Sequence, residues 1–421
     1  MYFSTNLCFL KGLYSIGIYI ASFVLKALGL FNSKLKQGIV GRKNTFSILK
    51  KAINPQDKTL WFHCASLGEY EQGLPVFEAL KAKHPNHKVV LSFFSPSGYE
   101  VRKNAKIADV VVYLPLDTNT NAKRFLDLVH PDYILLVKYE IWPNFLHEIK
   151  KRGLNAILIS AVFRKDQAFF KWYGSYMTSA LFGFNHIFTQ DENSKLLLKN
   201  IHYNSVSVSG DTRFDRVSNQ LKVDNTVSFI ETFKANQLCM VFGSTWPDDD
   251  KLYLDFINNS KNSNVKFVIA PHNIKPSYIS SLKSQLKVKT TCFSELNQNE
   301  NLADYNVFIL DTIGYLSKVY SYADIAYVGG GAGSTGLHNI LEPAVFGIPI
   351  LIGQNYNKFP EAKMLIDLGG VTTLASSTAF NSTLNALITD NVLRKKQGEI
   401  TKSFIDSNTG AVLKIMDYLE S

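Results

Sequence analysis

No aspartate or glutamate occurs in the first 56 residues, although Lys11, Lys26, Lys34, Lys36, Arg42, Lys43, Lys50 and Lys51 all fall there. Eight of the ten net positive charges of this 421-residue chain therefore sit at its start. The remainder is close to neutral, which argues against nucleic acid as a partner. Cysteine is scarce as well: Cys8, Cys64, Cys239 and Cys292 are far apart and form no CxxC pair. That spacing suggests neither a zinc site nor a disulfide framework, and it fits a reducing compartment. Charged residues make up 19% of the chain against 46% hydrophobic, the balance of a folded protein rather than a disordered one. Low-complexity tracts and short-period repeats are missing too. A chain of 421 residues exceeds the roughly 250–300 at which a single core stops growing, so two domains are expected.

Long apolar runs are absent with one near-exception, the 14 uncharged residues GLYSIGIYIASFVL from Gly12 to Leu25, between Lys11 and Lys26. A bilayer span takes about 20 apolar residues, and neighbouring apolar residues with snorkelling lysines extend this run. A signal peptide and an ordinary buried helix are the competing readings. No small-residue cleavage site follows, and the cationic stretch behind the run resists export. The reading adopted is a retained membrane anchor over 1–30 whose basic flank favours an anionic cytoplasmic membrane surface. Such an anchor is expected to hold the protein at the membrane without contributing to chemistry.

From residue 59 onward short β-rich runs alternate with helix-length segments. One series reads TLWFHCA, KVVLSFF, VVVYL, YILLVK, NAILIS, HIFTQ and VSVSG; a second reads LCMVFGS, VKFVIAP, VKTTCF, VFILD, DIAYVGG, PILIG and VTTLA. Apolar strands of this length between helices imply parallel sheets covered on both faces. The expected fold class is α/β with two Rossmann-like domains facing a ligand-binding cleft, preceded by an anchor helix. The boundaries expected are 31–215 for the first domain, 216–236 for a polar linker, 237–394 for the second domain, and 395–421 for a C-terminal helix that could pack back on the first.

The strongest local signal is DIAYVGGGAGSTGLHNILEPAVFGIPILIG, Asp324–Gly353. A strand runs into Gly329, Gly330, Gly331 and Gly333, and a helix is expected near Glu342-Pro343, since proline suits a first helical turn. Glycines allow close backbone approach, and a helix N-terminus attracts an anion. The plainer reading is a tight strand–helix connection in which Asn339 and Glu342 cap the helix. Two other signals are set aside. The acidic run Asp248-Asp249-Asp250 reads as a capped helix start rather than a metal site, and no metal is expected. His63, inside a strand, reads as a core histidine.

In order along the chain stand Ser66-x-Gly68-Glu69, EIWPN at 140–144, GDTRFD at 210–215, GSTW at 243–246, DTIG at 311–314 and GLHNILEP at 336–343. Together with the Gly-rich turn this string resembles the GT-B-type glycosyltransferases that transfer 3-deoxy-D-manno-octulosonic acid (Kdo). The resemblance covers essentially the whole chain. It implies CMP-Kdo as donor, a lipid A precursor (lipid IVA) as acceptor, no further cofactor, and a place on the cytoplasmic face of the inner membrane in lipopolysaccharide assembly. A sugar-nucleotide epimerase or another nucleotide-sugar transferase on the same scaffold is the alternative, as is a binding protein without turnover.

The family's general base is the Glu of the Gly-Glu turn, which corresponds to Glu69. At a helix N-terminus the macrodipole is expected to hold this carboxylate ionised, ready to take a proton from the acceptor hydroxyl. Glu140 and Arg213 correspond to residues that stabilise the transition state. Pro271 and His272, then Ile313, Gly314 and Tyr315, then Asn339, Ile340, Leu341 and Glu342 correspond to stretches that bind the CMP donor. Two departures stand out. APHNIKPSY lacks the arginines usual after that strand, and Lys138 stands where many relatives carry an acid.

Overall fold

The near-continuous apolar runs of the sequence become two seven-stranded sheets, every strand pairing parallel to its neighbours. The computed structural model describes residues 2–260, 265–297 and 301–420, with side chains from Phe9 onward. The chain divides into two compact units, Met1–Arg216 with Thr409–Ser421, and Val217–Asn408.

In the first unit the strands are β1 (Thr59–Cys64), β2 (Lys88–Phe93), β3 (Val110–Tyr113), β4 (Pro131–Val137), β5 (Asn155–Ala161), β6 (His186–Thr189) and β7 (Val206–Val208). Their order is β3-β2-β1-β4-β5-β6-β7, so the direction of winding reverses between β1 and β4. Every residue of β1 is buried, because helices cover both faces. Trp61 joins Phe125 and Phe145 in one core cluster, while Phe62 joins Phe77 and Phe93 in the other, as strand alternation requires.

The first helices are α1 (Tyr2–Leu28), α2 (Ser33–Ala52), α3 (Leu67–Lys83), α4 (Pro96–Arg102), α5 (Asn119–Val129), α6 (Pro143–Arg152) and α7 (Ser175–Leu181). Asn32 separates the first two. Its side-chain oxygen accepts the N–H groups of Lys34 at 3.0 Å and Leu35 at 3.2 Å, starting α2 afresh. Within α1, Phe9–Leu28 is long and apolar enough to cross a membrane.

The second unit is built from β8 (Leu238–Thr245), β9 (Val265–Pro271), β10 (Thr290–Cys292), β11 (Val307–Ile309), β12 (Ile325–Val328), β13 (Ile350–Gly353) and β14 (Val371–Leu374). Their order is β10-β11-β9-β8-β12-β13-β14, with the reversal between β8 and β12.

Two boundaries differ from expectation. Residues 217–236 are not a free linker. The helix Ser228–Lys234 buries Ile230 and Phe233 in the second unit, Phe233 meets Phe308, and Lys234 pairs with Asp324 at 2.9 Å. The tail is not one helix either. Asn391–Asn408 belongs to the second unit and Ala411–Glu420 to the first, with the break at Gly410, whose φ of +99° ends a helix at no steric cost. Ala411–Glu420 packs on α3, and Asp215 accepts the N–H groups of Gly410 at 2.9 Å and Ala411 at 3.1 Å.

Candidate active site

Ligands in open α/β sheets bind beyond the carboxyl ends of the strands at the point where strand order reverses. In the first unit that point lies between β1 and β4, and the segments leaving those two strands carry Glu69 and Glu140. Glu69 is the third residue of α3, after the N-cap Ser66. Its Oε2 accepts the backbone N–H of Ala65 and, at 3.3 Å, that of Ser66. Oε1 accepts no hydrogen bond among the described residues. Burial, and next the charge of Glu140, push the Glu69 carboxyl up to about 7, against the Ala65 N–H, His63 and Lys138. This corrects the expectation that the helix dipole holds the group ionised. A dipole effect of about 0.3–1 kcal/mol at the first turn is outweighed by desolvation and a neighbouring carboxylate.

Glu140 is buried and held by two rings. Its Oε2 accepts the indole N–H of Trp142 at 2.9 Å and lies 2.7 Å from His63 Nε2. His63 is fully buried, a core residue as expected. It is also the partner of Glu140, which sequence reasoning missed because 77 residues separate the two. With Nε2–H donated to Glu140, Nδ1 accepts from the Ser92 hydroxyl at 2.9 Å. That hydroxyl in turn accepts from the indole of Trp61 at 2.8 Å. The parallel pairing of β1 with β2, which places His63 opposite Ser92, makes this chain of bonds possible. Lys138, at the exit of β4, adopts a left-handed φ of +64° and draws the Glu69 carboxyl toward its ionised form.

Arg213 stands in an ion pair with Asp211, both Nε and Nη2 lying 2.8 Å from Oδ2. The other oxygen of Asp211 accepts the Arg213 N–H at 2.9 Å and the Gln72 amide at 2.7 Å. Gln72 lies on α3 one turn after Glu69, and its carbonyl accepts the Thr212 hydroxyl. The helix that carries the carboxylate thus also orients the arginine. Glu69, Glu140, His63 and Lys138 form one cluster, to which Arg213 is tied through Gln72 and Asp211.

In the second unit the loops after β8, β9 and β12 supply Trp246, His272 and His338. The rings form a stack, His272 lying 4.6 Å from Trp246 and 4.5 Å from His338 between centroids, and the Trp246 indole donates to His338 Nε2 at 3.0 Å. Burial, then the neighbouring His272, push His338 down to about 4; burial also lowers His272. Both are therefore neutral near pH 7 and do not replace the positive charge of arginine. Neither Trp246 nor His338 figured among the site residues expected from sequence, although both stand in the quoted GSTW and GLHN motifs.

The Gly-rich turn is organised by a residue of the acidic run. Asp249, fully buried, accepts the N–H of Trp246 at 2.8 Å, as a capped helix start requires, but also those of Gly330 at 2.8 Å and Ala332 at 3.3 Å and the Tyr327 hydroxyl at 2.7 Å. Two N–H groups of the turn are thus turned to a carboxylate. Gly330 has a φ of +89°, and a Cβ there would lie 2.0 Å from the Gly336 carbonyl oxygen.

The short helix after the turn is Leu341–Ala344, with Ile340 as its N-cap. Asn339 accepts the Leu341 N–H at 3.2 Å and donates to Glu342 at 3.3 Å. Ile340 and Leu341 are buried, so their side chains are core. Glu342 is half-buried, and its charge helps to push up the buried Tyr320 hydroxyl, after burial itself. Of the remaining residues, Pro271 ends β9, Ile313 is 83% exposed, Gly314 has a φ of +97°, and the Tyr315 ring packs on Phe229 and Phe293.

Comparison with known proteins finds similar sequences and similar folds. Residues 41–216 match the family model described as 3-deoxy-D-manno-octulosonic-acid transferase (kdotransferase). The 3-deoxy-D-manno-octulosonic acid transferase of Haemophilus influenzae is 25% identical over 94% of this chain and 95% of its own length. The one from Aquifex aeolicus is 28% identical over 76% of this chain and 83% of its own. Among solved structures, UDP-GlcNAc 2-epimerase from Neisseria meningitidis bound to UDP-GlcNAc superposes with a TM-score of 0.60 at 17% identity, over 86% of this chain and all of that one. Acinetobacter baumannii MurG does so with a TM-score of 0.52 at 11% identity, over 86% of this chain and 99% of that one. At such identities these two likenesses show the fold, two Rossmann-like units of the GT-B type. By sequence the chain is similar over most of its length to 3-deoxy-D-manno-octulosonic acid transferases, which are glycosyltransferases.

Proposed function

We propose that this protein transfers Kdo from CMP-Kdo to a lipid A precursor at the cytoplasmic face of the inner membrane, with Glu69 as general base. The reading rests on the Glu69 carboxyl at the start of α3, one oxygen held by backbone N–H groups and the other accepting no hydrogen bond among the described residues, with burial and then Glu140 pushing the group up to about 7. A base of that strength is matched to its task at neutral pH. The acceptor hydroxyl oxygen attacks the anomeric carbon of Kdo, its proton passes to Glu69, and the bond from that carbon to the phosphate oxygen breaks, releasing CMP.

Glu140, held rigidly by Trp142 and His63, supplies fixed negative charge beside the base and raises its proton affinity. Such charge also favours the cationic character that develops at an anomeric carbon as the leaving group departs. Arg213 supplies positive charge for an anionic group of the donor. In the second unit Glu342 and Asn339 accept and donate to ribose hydroxyls, and the Trp246–His272–His338 stack offers an aromatic edge to the nucleotide. The reaction as written balances with the donor and acceptor alone, and the proposal includes no metal or further cofactor.

Incubating the protein with CMP-Kdo and a tetraacylated, bisphosphorylated disaccharide precursor, with products read by mass, tests the reading. Acceptor heavier by Kdo supports it. Donor altered without any acceptor present points instead to an epimerase or hydrolase on this scaffold.

A further inference from the structure

The apolar helix α1 has two different sides. At about 100° per residue, Tyr14, Ile18, Ser22, Leu25 and Gly29 fall on one side of the helix, and Phe9, Leu13, Ile16, Ile20 and Phe23 on the opposite side. The first set is half-buried or buried, and the helix packs on α2 and α7. The second set is exposed, from 49% at Leu13 to 74% at Phe23. A contact stripe from Tyr14 to Gly29 spans about 22 Å of helix, so α1 runs along the first unit instead of departing from it.

The inner stripe ends in a polar contact. The Tyr14 hydroxyl donates to Asp117 Oδ2 at 2.8 Å, and its ring lies 5.5 Å from that of Tyr176. Asp117 is fully buried. Its carboxylate caps α6, Oδ2 accepting the Asn144 N–H at 3.0 Å and Oδ1 the Phe145 N–H at 2.9 Å. Tyr176 reinforces the same point by donating to Asn144 Oδ1 at 3.0 Å. The residues immediately before this helix start are Glu140 and Trp142, joined to each other and to His63. One hydroxyl of α1 therefore holds the group that fixes the end of the Glu140 loop.

We propose that α1 works as an in-plane helix, its outer face lying in an anionic lipid surface while its inner face, through the Tyr14–Asp117 hydrogen bond, positions the loop that carries Glu140 and Trp142. Lipid is the occupant of the outer face because that face is apolar, lysines 11, 26, 34 and 36 lie on or beside the helix, and no acid occurs in the first 56 residues. A helix threading the bilayer would instead put the inner stripe, with its Tyr14 and Ser22 hydroxyls, among acyl chains. Tyr14 is thus a positioning residue, and the anchor takes part in the reaction it was expected only to localise. The kinetic part rests on the Kdo-transfer reading; the other two parts do not.

Single tryptophans placed by Phe9→Trp, Ile16→Trp and Phe23→Trp in the full chain, bound to phosphatidylethanolamine/phosphatidylglycerol vesicles brominated at defined depths, test the orientation. An in-plane helix gives the strongest added quenching at one shallow depth for all three. A stepwise change in depth, over the roughly 21 Å that separate positions 9 and 23 along a helix, overturns it. Tyr14→Phe removes one hydroxyl and keeps the ring. It is expected to leave vesicle binding intact, to shift the indole N–H resonance of Trp142 but not that of Trp246, and to lower kcat about tenfold with the donor KM unchanged, the scale of one hydrogen bond to a carboxylate. An unmoved Trp142 resonance overturns the coupling even if the wild-type protein proves to transfer no Kdo. Full kcat in the variant of an active enzyme overturns it as well.

Discussion

At the scale of single residues, the proposed chemistry turns on a carboxyl that burial and Glu140 make harder to ionise. Glu69→Gln keeps the hydrogen-bonding shape of the side chain and removes the base. Turnover should fall by about two orders of magnitude or more, while CMP titrates the variant as it does the parent. In the wild type, kcat/KM should rise with pH to a plateau above about 7, because only the ionised carboxyl accepts a proton. The stability effect has the opposite sign. Between its ordinary range near 4.5 and about 7 this group binds more protons folded than unfolded, so folding stability declines across that window as pH rises. Glu69→Gln should flatten that decline in urea-unfolding midpoints measured from pH 4.5 to 8, and an unchanged slope would show that burial and Glu140 do not raise the proton affinity of this residue. In the second unit, Glu342→Ala should weaken CMP binding about tenfold by calorimetry, the usual scale for one lost charge-assisted hydrogen bond. Unchanged affinity in the folded variant removes Glu342 from the donor site.

At the scale of elements, the strands were the legible part and the partners of the site residues were not. KVVLSFF and VKFVIAP declare buried parallel strands by their mostly apolar character, and the Gly68-Glu69 turn marks itself by its motif. Nothing local in the sequence tells that His63 faces Glu140, or that Asp249 reaches from a helix start to the Gly330 turn; both contacts join segments more than 75 residues apart. The macrodipole argument failed for a related reason, since it counted the helix that holds Glu69 and neither its burial nor the carboxylate of Glu140 after the neighbouring strand. Asp249 also changes what the glycine turn is for. Asp249→Ala leaves the Gly330, Ala332 and Trp246 N–H groups and the Tyr327 hydroxyl without their acceptor. It should destabilise the protein by about 2–4 kcal/mol, seen as a lower urea midpoint, and weaken CMP binding through a loosened turn. A small stability change with normal CMP affinity would mean that the turn holds its shape unaided.

At the scale of the whole molecule, the two units are alike in construction, each a parallel sheet whose winding reverses where candidate side chains follow the strand ends, Glu69 and Glu140 after β1 and β4, Trp246 and His338 after β8 and β12. The domain limits escaped the sequence where apolar residues are sparse. Ile230 and Phe233 bury 228–234 in the second unit, and the tail divides at Gly410. Deleting residues 1–30 should release the protein from membranes, and it should lower turnover on detergent-dispersed acceptor by about the same factor as Tyr14→Phe, since both remove the Asp117 partner. Release with undiminished turnover would return α1 to a passive tether. The central claim, that a base near pH 7 at Glu69 drives sugar transfer, meets its most direct test in the pH dependence of Kdo transfer from CMP-Kdo to the lipid A precursor, followed by mass for the wild type and Glu69→Gln. The account predicts an acid limb near pH 7 in the wild type and, in the variant, residual transfer at least about 100-fold lower with that limb gone. Comparable transfer by both proteins, with the same pH profile, would contradict it.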